Sequence, residues 1–210
     1  ELGLIVLDPF TREIHELAWP LFSQELKAAC TPGACTAAEL VGNAFDVLAK
    51  DPQGQTPVPC RPDMVGLFWH DGLGRRVGMR RCADKHGVEV ISAGGGDAGD
   101  SGFVPCATLL NRSPELFSPR WYFRPLMQDF ILPTLIHIGG VGEARYMRQV
   151  VPLYTWADVP QPRFEARASF TLLDPRAVAA LQDAVGCHGT FDSLGLQCLL
   201  EPRHDLEHAA

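Results

Sequence analysis

Two hydrophobic rhythms run along the chain. Residues 2–8, LGLIVLD, are six-sevenths apolar or glycine, which predicts a buried strand. Asp8-Pro9 then supplies an N-cap and a first-turn proline. From about Phe10, Ile14, Leu17, Ala18, Leu21 and Phe22 fall on one helical face, and Pro20 is expected to kink or divide that helix. A second helix is predicted over roughly residues 36–50, opening with the capping-box pattern TAAE. Residues 51–63, DPQGQTPVPCRPD, read as loop. From 64 to 92 the runs MVGLFWH, RRVGMRRC and VEVIS are separated by DGLG and ADKHG, predicting an antiparallel meander, and residues 93–102, AGGGDAGDSG, a flexible loop.

Helical character returns over 106–116 and again in FSPRWYFRPLMQDFILPT, residues 117–134. There Ser118 and Pro119 fit a helix start, and Pro125 is expected to bend the helix beyond it. TLIHIGG is a strand, followed by a helix from about Gly142 that Pro152 should disturb. RFEARASFTLLD, residues 163–174, predicts another strand, and DPRAVAALQDAVG a helix closed by Gly186. Strand, helix, strand, helix is the order of parallel βαβα units. The predicted fold is therefore α/β: a Rossmann-like parallel sheet flanked by helices, with a small antiparallel β-meander insertion. The expected divisions are 1–52 (strand and helices), 53–105 (meander and loop), 106–200 (core half) and 201–210 (tail).

Composition narrows the class. The 210 residues are 46% hydrophobic and 20% charged, enough for a buried core. A net charge of −7 and a pI near 5.4 argue against duplex DNA as a partner, since phosphate neutralisation needs a basic footprint. The apolar runs are too short and interrupted to predict a membrane span, and neither a methionine start nor a signal peptide is read. The start at Glu1 suggests a fragment. Seven cysteines, an odd number without CxxC, predict reduced, mostly buried thiols in a cytoplasmic protein. The stretch Arg61 to Lys85 carries six basic residues against Asp63, Asp71 and Asp84, read as a solvated hairpin face.

Candidate chemistry concentrates in LIHIGGVGEARYM, residues 135–147. Gly139, Gly140 and Gly142 follow a strand and precede a helix, where free N–H groups and the helix dipole favour an anion. Read from Gly140, the pattern is G-x-G-x-x-R, with Arg145 at the third glycine of a dinucleotide fingerprint, and it lacks the Lys-Ser/Thr of a P-loop. The plainer alternative is a tight turn whose glycines adopt positive φ. Arg124 and Gln128 share a helix face, and an arginine there suits carboxylate or phosphate. His137, in an apolar strand, is expected to be a satisfied core histidine. GDSGF (99–103) and HDLEH (204–208) resemble a protease nucleophile turn and a zinc pattern, but lack the partners either chemistry needs.

The run FSPRWYFRPLMQDFILPTLIHIGGVGEARYMRQVVPLY resembles the cysteine ligase family of bacillithiol biosynthesis, with its FSPN, RPLxQDxLLPT and GGPGE patterns followed by PRxSxTLL. Arg120 stands for the family's asparagine, Val141 for the proline of GGPGE and Ala166 for the proline before Arg167. The resemblance implies a core like that of class I aminoacyl-tRNA synthetases, of which this chain looks like the second half, without the TGQQ-type turn of the first. It implies an ATP-dependent amide ligation of cysteine to glucosaminyl-malate in the cytoplasm, with magnesium arriving on the nucleotide. No nucleic-acid or membrane partner is implied, and the full-length protein would be a homodimer. It assigns Arg124, Gln128 and Asp129 to catalysis. Thr134, Gly139, Gly140, Gly142, Glu143, Arg167 and Ser169 would bind substrate or nucleotide. The alternative is a non-catalytic module of the same fold that binds a nucleotide or sugar acid.

Overall fold

Asp8 fixes the entry to the first helix: its Oδ1 accepts the Phe10 N–H at 2.9 Å and its carbonyl accepts Thr11 N–H. The computed structural model describes residues 7–50, 57–71, 73–82, 85–91, 102–168 and 176. Helix α1 (Arg12–Cys30) buries Ala18, Leu21, Phe22 and Leu26 along one stripe, while Leu17 of the predicted face is exposed. It runs unbroken through Pro20. That residue is exposed, as is Glu16, whose carbonyl loses its helical donor. Helix α2 (Ala37–Leu48) starts as its sequence predicts. The Thr36 hydroxyl accepts Glu39 N–H at 3.3 Å, and Glu39 Oε2 accepts Thr36 N–H at 2.9 Å.

The meander forms as β1 (Met64–His70), β2 (Arg76–Arg81) and β3 (Gly87–Ile91), but it is the centre of the fold rather than a small insertion. β4 (Gly102–Pro105) joins the edge of β3, and β5 (Phe117–Pro119) pairs with β1, giving an antiparallel sheet in the order β4-β3-β2-β1-β5. The expected boundary at 105 thus runs through one sheet. Ser118 and Pro119 belong to β5 instead of a helix start. Phe117 is fully buried, and burial of that apolar residue outweighs the local capping signal. Between β4 and β5 lie a short helix α3 (Cys106–Leu110) and a 3₁₀ turn at Pro114–Leu116. The inner face (Val65, Leu67, Met79, Val88, Phe117) packs with the α1 stripe in one core.

Helix α4 (Phe123–Ile131) carries Pro125 at its third position, where its missing N–H disrupts no helical bond, so Pro125 does not bend the segment. β6 (Ile136–Gly139), α5 (Val141–Ala157) and β7 (Arg163–Ala166) form a parallel β-α-β unit, with His137 in register with Phe164. Among the described residues, parallel pairing is confined to these two strands, which corrects the expectation of a mainly parallel sheet. The strand expected over 163–174 begins as β7, while its residues from 169 on, the helix expected over 174–186 and the strand expected at 2–8 lie outside the described residues, apart from Leu7, Asp8 and Arg176. α5 continues past Pro152 and ends at Asp158, whose φ of 54° closes the helix. Gln149 ties it to α2: fully buried, it donates to the Val41 and Val58 carbonyls and accepts Val58 N–H at 3.0 Å. The chain divides into two compact units, Glu1–Arg167 and Ala168–Ala210.

Glu25 joins α1, α2 and β1. Fully buried, it accepts Ala37 N–H at 2.9 Å on Oε2 and Gly66 N–H at 2.7 Å on Oε1. Ala37 is the first residue of α2, so the carboxylate meets the positive end of that helix. Gly66 lies where the β1–β2 register shifts, and a Cβ there would stand 3.0 Å from Glu25 Oε1 and 3.1 Å from the Phe123 ring. Burial pushes the Glu25 carboxyl up to about 7, against the lowering effect of the two N–H bonds. The folded state therefore holds this proton more tightly than the unfolded one. Its contribution to stability is fully present below about pH 4.5 and is lost as pH rises through about 7, a change on the order of 3 kcal/mol. Urea unfolding at pH 5 and pH 8 should show that loss in wild type. E25Q, which cannot ionise and turns an NH₂ toward one of the two N–H donors, should be less stable at pH 5 and lack this component of the pH slope.

Candidate active site

α4 presents two faces. Arg124 and Gln128, one turn apart, are exposed, whereas Asp129 is buried. Asp129 Oδ2 accepts the Tyr154 hydroxyl at 2.6 Å and lies 2.9 Å from His137 Nε2, while Oδ1 is buried without a partner. Thus α4, β6 and α5 meet at one carboxylate. Burial, and then Asp129 itself, push the Tyr154 phenol well above its ordinary value, so it remains a hydrogen-bond donor. His137, expected as a satisfied core histidine, is instead half-buried on a strand whose Ile136 and Ile138 are exposed, with one ring nitrogen on Asp129 and the residue bordering open space.

That space is a cavity of about 510 Å³ lined by Arg124, Gln128, His137, Gly139 and Glu143, with Trp121, Tyr146 and Phe164 among its walls. Trp121 and Tyr146 meet edge to face, their centroids 6.0 Å apart. Arg124 and Gln128 also line a second, more apolar cavity of about 460 Å³ beside α1 and β5. Among the described residues Arg124 has no carboxylate partner.

The glycine turn is closer-packed than its sequence implies. Gly140 is the N-cap of α5, and its N–H is held at 2.7 Å by Glu143 Oε2. Arg167 N–H donates to the Gly139 carbonyl at 2.7 Å. None of the three glycines has positive φ; among the described glycines that conformation belongs to Gly33 and Gly74. Close approach is the requirement instead. A Cβ on Gly139 would meet Glu143 Oε2 and the Phe164 ring at 2.8 Å, and one on Gly140 would lie 3.2 Å from Arg167 Nη2. Gly142 faces open space. The corner therefore combines an acid on the Gly140 amide, a guanidinium over the same residue and an open first turn at Gly142.

Of the sequence-assigned residues, Arg124, Gln128, Gly139 and Glu143 converge on the cavity, and Asp129 stands behind it. Gly140, Gly142 and Arg167 form the adjoining corner. Thr134 lies apart in the α4–β6 connection, its hydroxyl donating to the Leu132 carbonyl at 3.3 Å. Ser169 lies outside the described residues, as do HDLEH and residues 99–101 of GDSGF. Sequence reasoning missed His137, Tyr146, Tyr154 and Trp121 as site residues. The available signal was the eight-residue step from Asp129 to His137 across a helix–strand turn. The substituted Arg120 is structural: its Nε donates to the Val65 carbonyl at 2.8 Å and its guanidinium lies 4.2 Å from the Phe68 ring centroid.

Most of the basic hairpin is ion-paired: Arg61 and Arg80 with Asp63, Arg75 with Asp71, and Arg81 with Glu39. Arg76 instead stacks on Phe68. Among the described cysteines, all unpaired, only Cys30 is buried, so the thiols are more accessible than expected. No group of three or more His, Cys, Asp or Glu among the described residues could hold a metal ion. No helix among them is long and apolar enough to cross a membrane.

Residues 1–168 match the family model described as Bacillithiol biosynthesis BshC, N-terminal Rossmann-like domain. Proteins carrying the name "Putative cysteine ligase BshC" are similar over most of the chain. That of Salinibacter ruber is 31% identical over 85% of this chain and 30% of its own length. That of Chloroherpeton thalassium is 42% identical over 83% and 28%, and that of Chlorobaculum tepidum 30% identical over 88% and 30%. The chain thus spans less than a third of the length of these relatives.

Packing at the turn separates its glycines. Gly139→Ala should destabilise the protein by roughly 1–3 kcal/mol, because Glu143 and Phe164 must both move. Gly142→Ala should be neutral or stabilising by up to about 1 kcal/mol, since its Cβ meets nothing. Urea unfolding midpoints of the two variants check the order.

Proposed function

The chain belongs to the BshC family of bacillithiol biosynthesis, and from that premise we propose that it carries catalytic-core residues of an ATP-dependent carbon–nitrogen ligase. The reaction would join the carboxyl of cysteine to the amine of glucosaminyl-malate as an amide. The observation that carries this reading is convergence. Arg124, Gln128, Gly139 and Glu143, drawn from α4, β6 and α5, line one cavity together with His137.

A free carboxylate is too poor an electrophile for an amine; ATP, when bound, supplies its activation. The donor set suits an anionic tail. Arg124 and Arg167 have no carboxylate partner among the described residues, and the first turn of α5 is open at Gly142. These groups would hold the phosphates or the cysteine carboxylate, and magnesium would arrive with the nucleotide. Gln128, neutral and exposed, would orient hydroxyl or amine groups of the sugar. Trp121 and Tyr146 would wall the cavity and restrict water. Asp129 is assigned to orienting His137 rather than to contacting substrate, because Oδ2 is already engaged twice. The same reading places the full-length protein in the cytoplasm as a homodimer, without nucleic-acid or membrane partners.

A second reading is favoured by Glu143, whose carboxylate occupies the Gly140 N–H and sets a negative charge at the anion corner. On it, the chain is a non-catalytic module that binds a nucleotide or sugar acid. Full-length protein supplied with cysteine, glucosaminyl-malate and ATP should consume ATP only when both other substrates are present. Arg124→Ala should lower kcat/KM by roughly 10–10³-fold, and Arg124→Lys should restore little, because a point charge cannot replace a planar fork. Nucleotide binding without turnover would select the module instead.

A further inference from the structure

His137 stands on β6 with its imidazole between a buried carboxylate and the cavity. The Asp129 side chain is 1% exposed and that of His137 19%. Asp129 Oδ2 can only accept, so a neutral imidazole bonded to it carries its proton on Nε2. Nδ1 then bears the lone pair. It has no hydrogen-bond partner among the described residues, yet it is absent from their buried, unpartnered atoms. It is therefore accessible, and the residue that carries it lines the cavity.

We propose that His137 Nδ1 accepts the proton of the amine that enters this cavity, with Asp129 and Tyr154 as positioning residues. The inference rests on the ligase reading above. A primary amine is mostly protonated near neutral pH and lacks the lone pair that acylation needs. In the step, one N–H bond of the ammonium group breaks, its electron pair stays on nitrogen and the proton bonds to Nδ1. The products are a neutral amine and an imidazolium whose charge Asp129 balances, so no further reactant is required. Tyr154 keeps the carboxylate aligned through its 2.6 Å bond.

Among the described residues, the charged and titratable groups facing the ring come from two helices. Arg124 and Asp129 stand on α4, and Glu143, Tyr146 and Tyr154 on α5. From β7 the register partner is Phe164, while Arg163 and Glu165 pair with each other. Arg124 and the two carboxylates therefore act with opposite sign on a charge at the ring.

The test uses full-length protein and two readouts. In the first, ¹⁵N NMR of the imidazoles, with H137Q to assign the signal, should show the Nε2–H tautomer. Adding glucosaminyl-malate should perturb the Nδ1 resonance. An Nδ1–H tautomer, or no response to the amine, overturns the proposal even if the protein turns over nothing. In the second, kcat/KM for the amine should fall toward acid pH in wild type. H137Q should lose roughly 10²–10⁴-fold and that acid limb, and D129N should shift the limb while keeping it. H137Q with wild-type rate and profile overturns the proposal while leaving the ligase reading intact. Absence of turnover in wild type rejects the ligase reading, and the amine response at Nδ1 then decides this one.

Discussion

A carboxyl buried without an ion pair among the described residues has to be answered by hydrogen bonds, and Glu25 is answered by two N–H groups from elements far apart in sequence. One is the first N–H of α2, the other the amide of Gly66 at the irregular point of β1. Both need an acceptor in a place where their own secondary structure supplies none. Glu25 thereby fixes α1 against α2 and the sheet at once, and the Gly66 carbonyl accepts Arg120 N–H at 3.0 Å, continuing the link to the chain leading into α4. The position of the α4 face that carries Arg124 and Gln128 depends on that connection.

Asp129 repeats the device under different constraints. Its partners are a phenol and an imidazole rather than backbone amides, and one of its oxygens is buried without a partner. Glu25 unites elements that make the scaffold, whereas Asp129 unites the elements that make the cavity. A chemical site needs its groups held more firmly than loops allow, and α4, β6 and α5 supply that rigidity around one carboxylate.

The glycine turn shows how a pattern can be read correctly and explained wrongly. Gly139, Gly140 and Gly142 do form a strand–helix junction beside a cavity. The need for small size at Gly139 and Gly140 comes from Phe164 on β7, Glu143 on α5 and Arg167 just beyond β7, and not from positive φ; Gly142 has no such neighbour. His137 is the complementary case. An apolar strand around a histidine gave no reason to expect function, because only the fold brings Asp129 and Tyr154 to its ring.

Local order was legible in the residues themselves. The capping box at Thr36, the three meander strands, the junction at Gly140 and the Arg124–Gln128 face each depend on neighbours within a turn or a hairpin, so the sequence carries them directly. The assignment of Phe117–Pro119 to a strand, the antiparallel character of the main sheet and the joining of Asp129 to His137 depend on partners that are distant in the chain or on burial. Tertiary structure decided those, because a hydrogen bond or a buried face takes its energy from whichever group the fold places opposite. Pro20 and Pro152 obey the same rule: each interrupts a helix only where no packing holds the turns on either side, and here packing does.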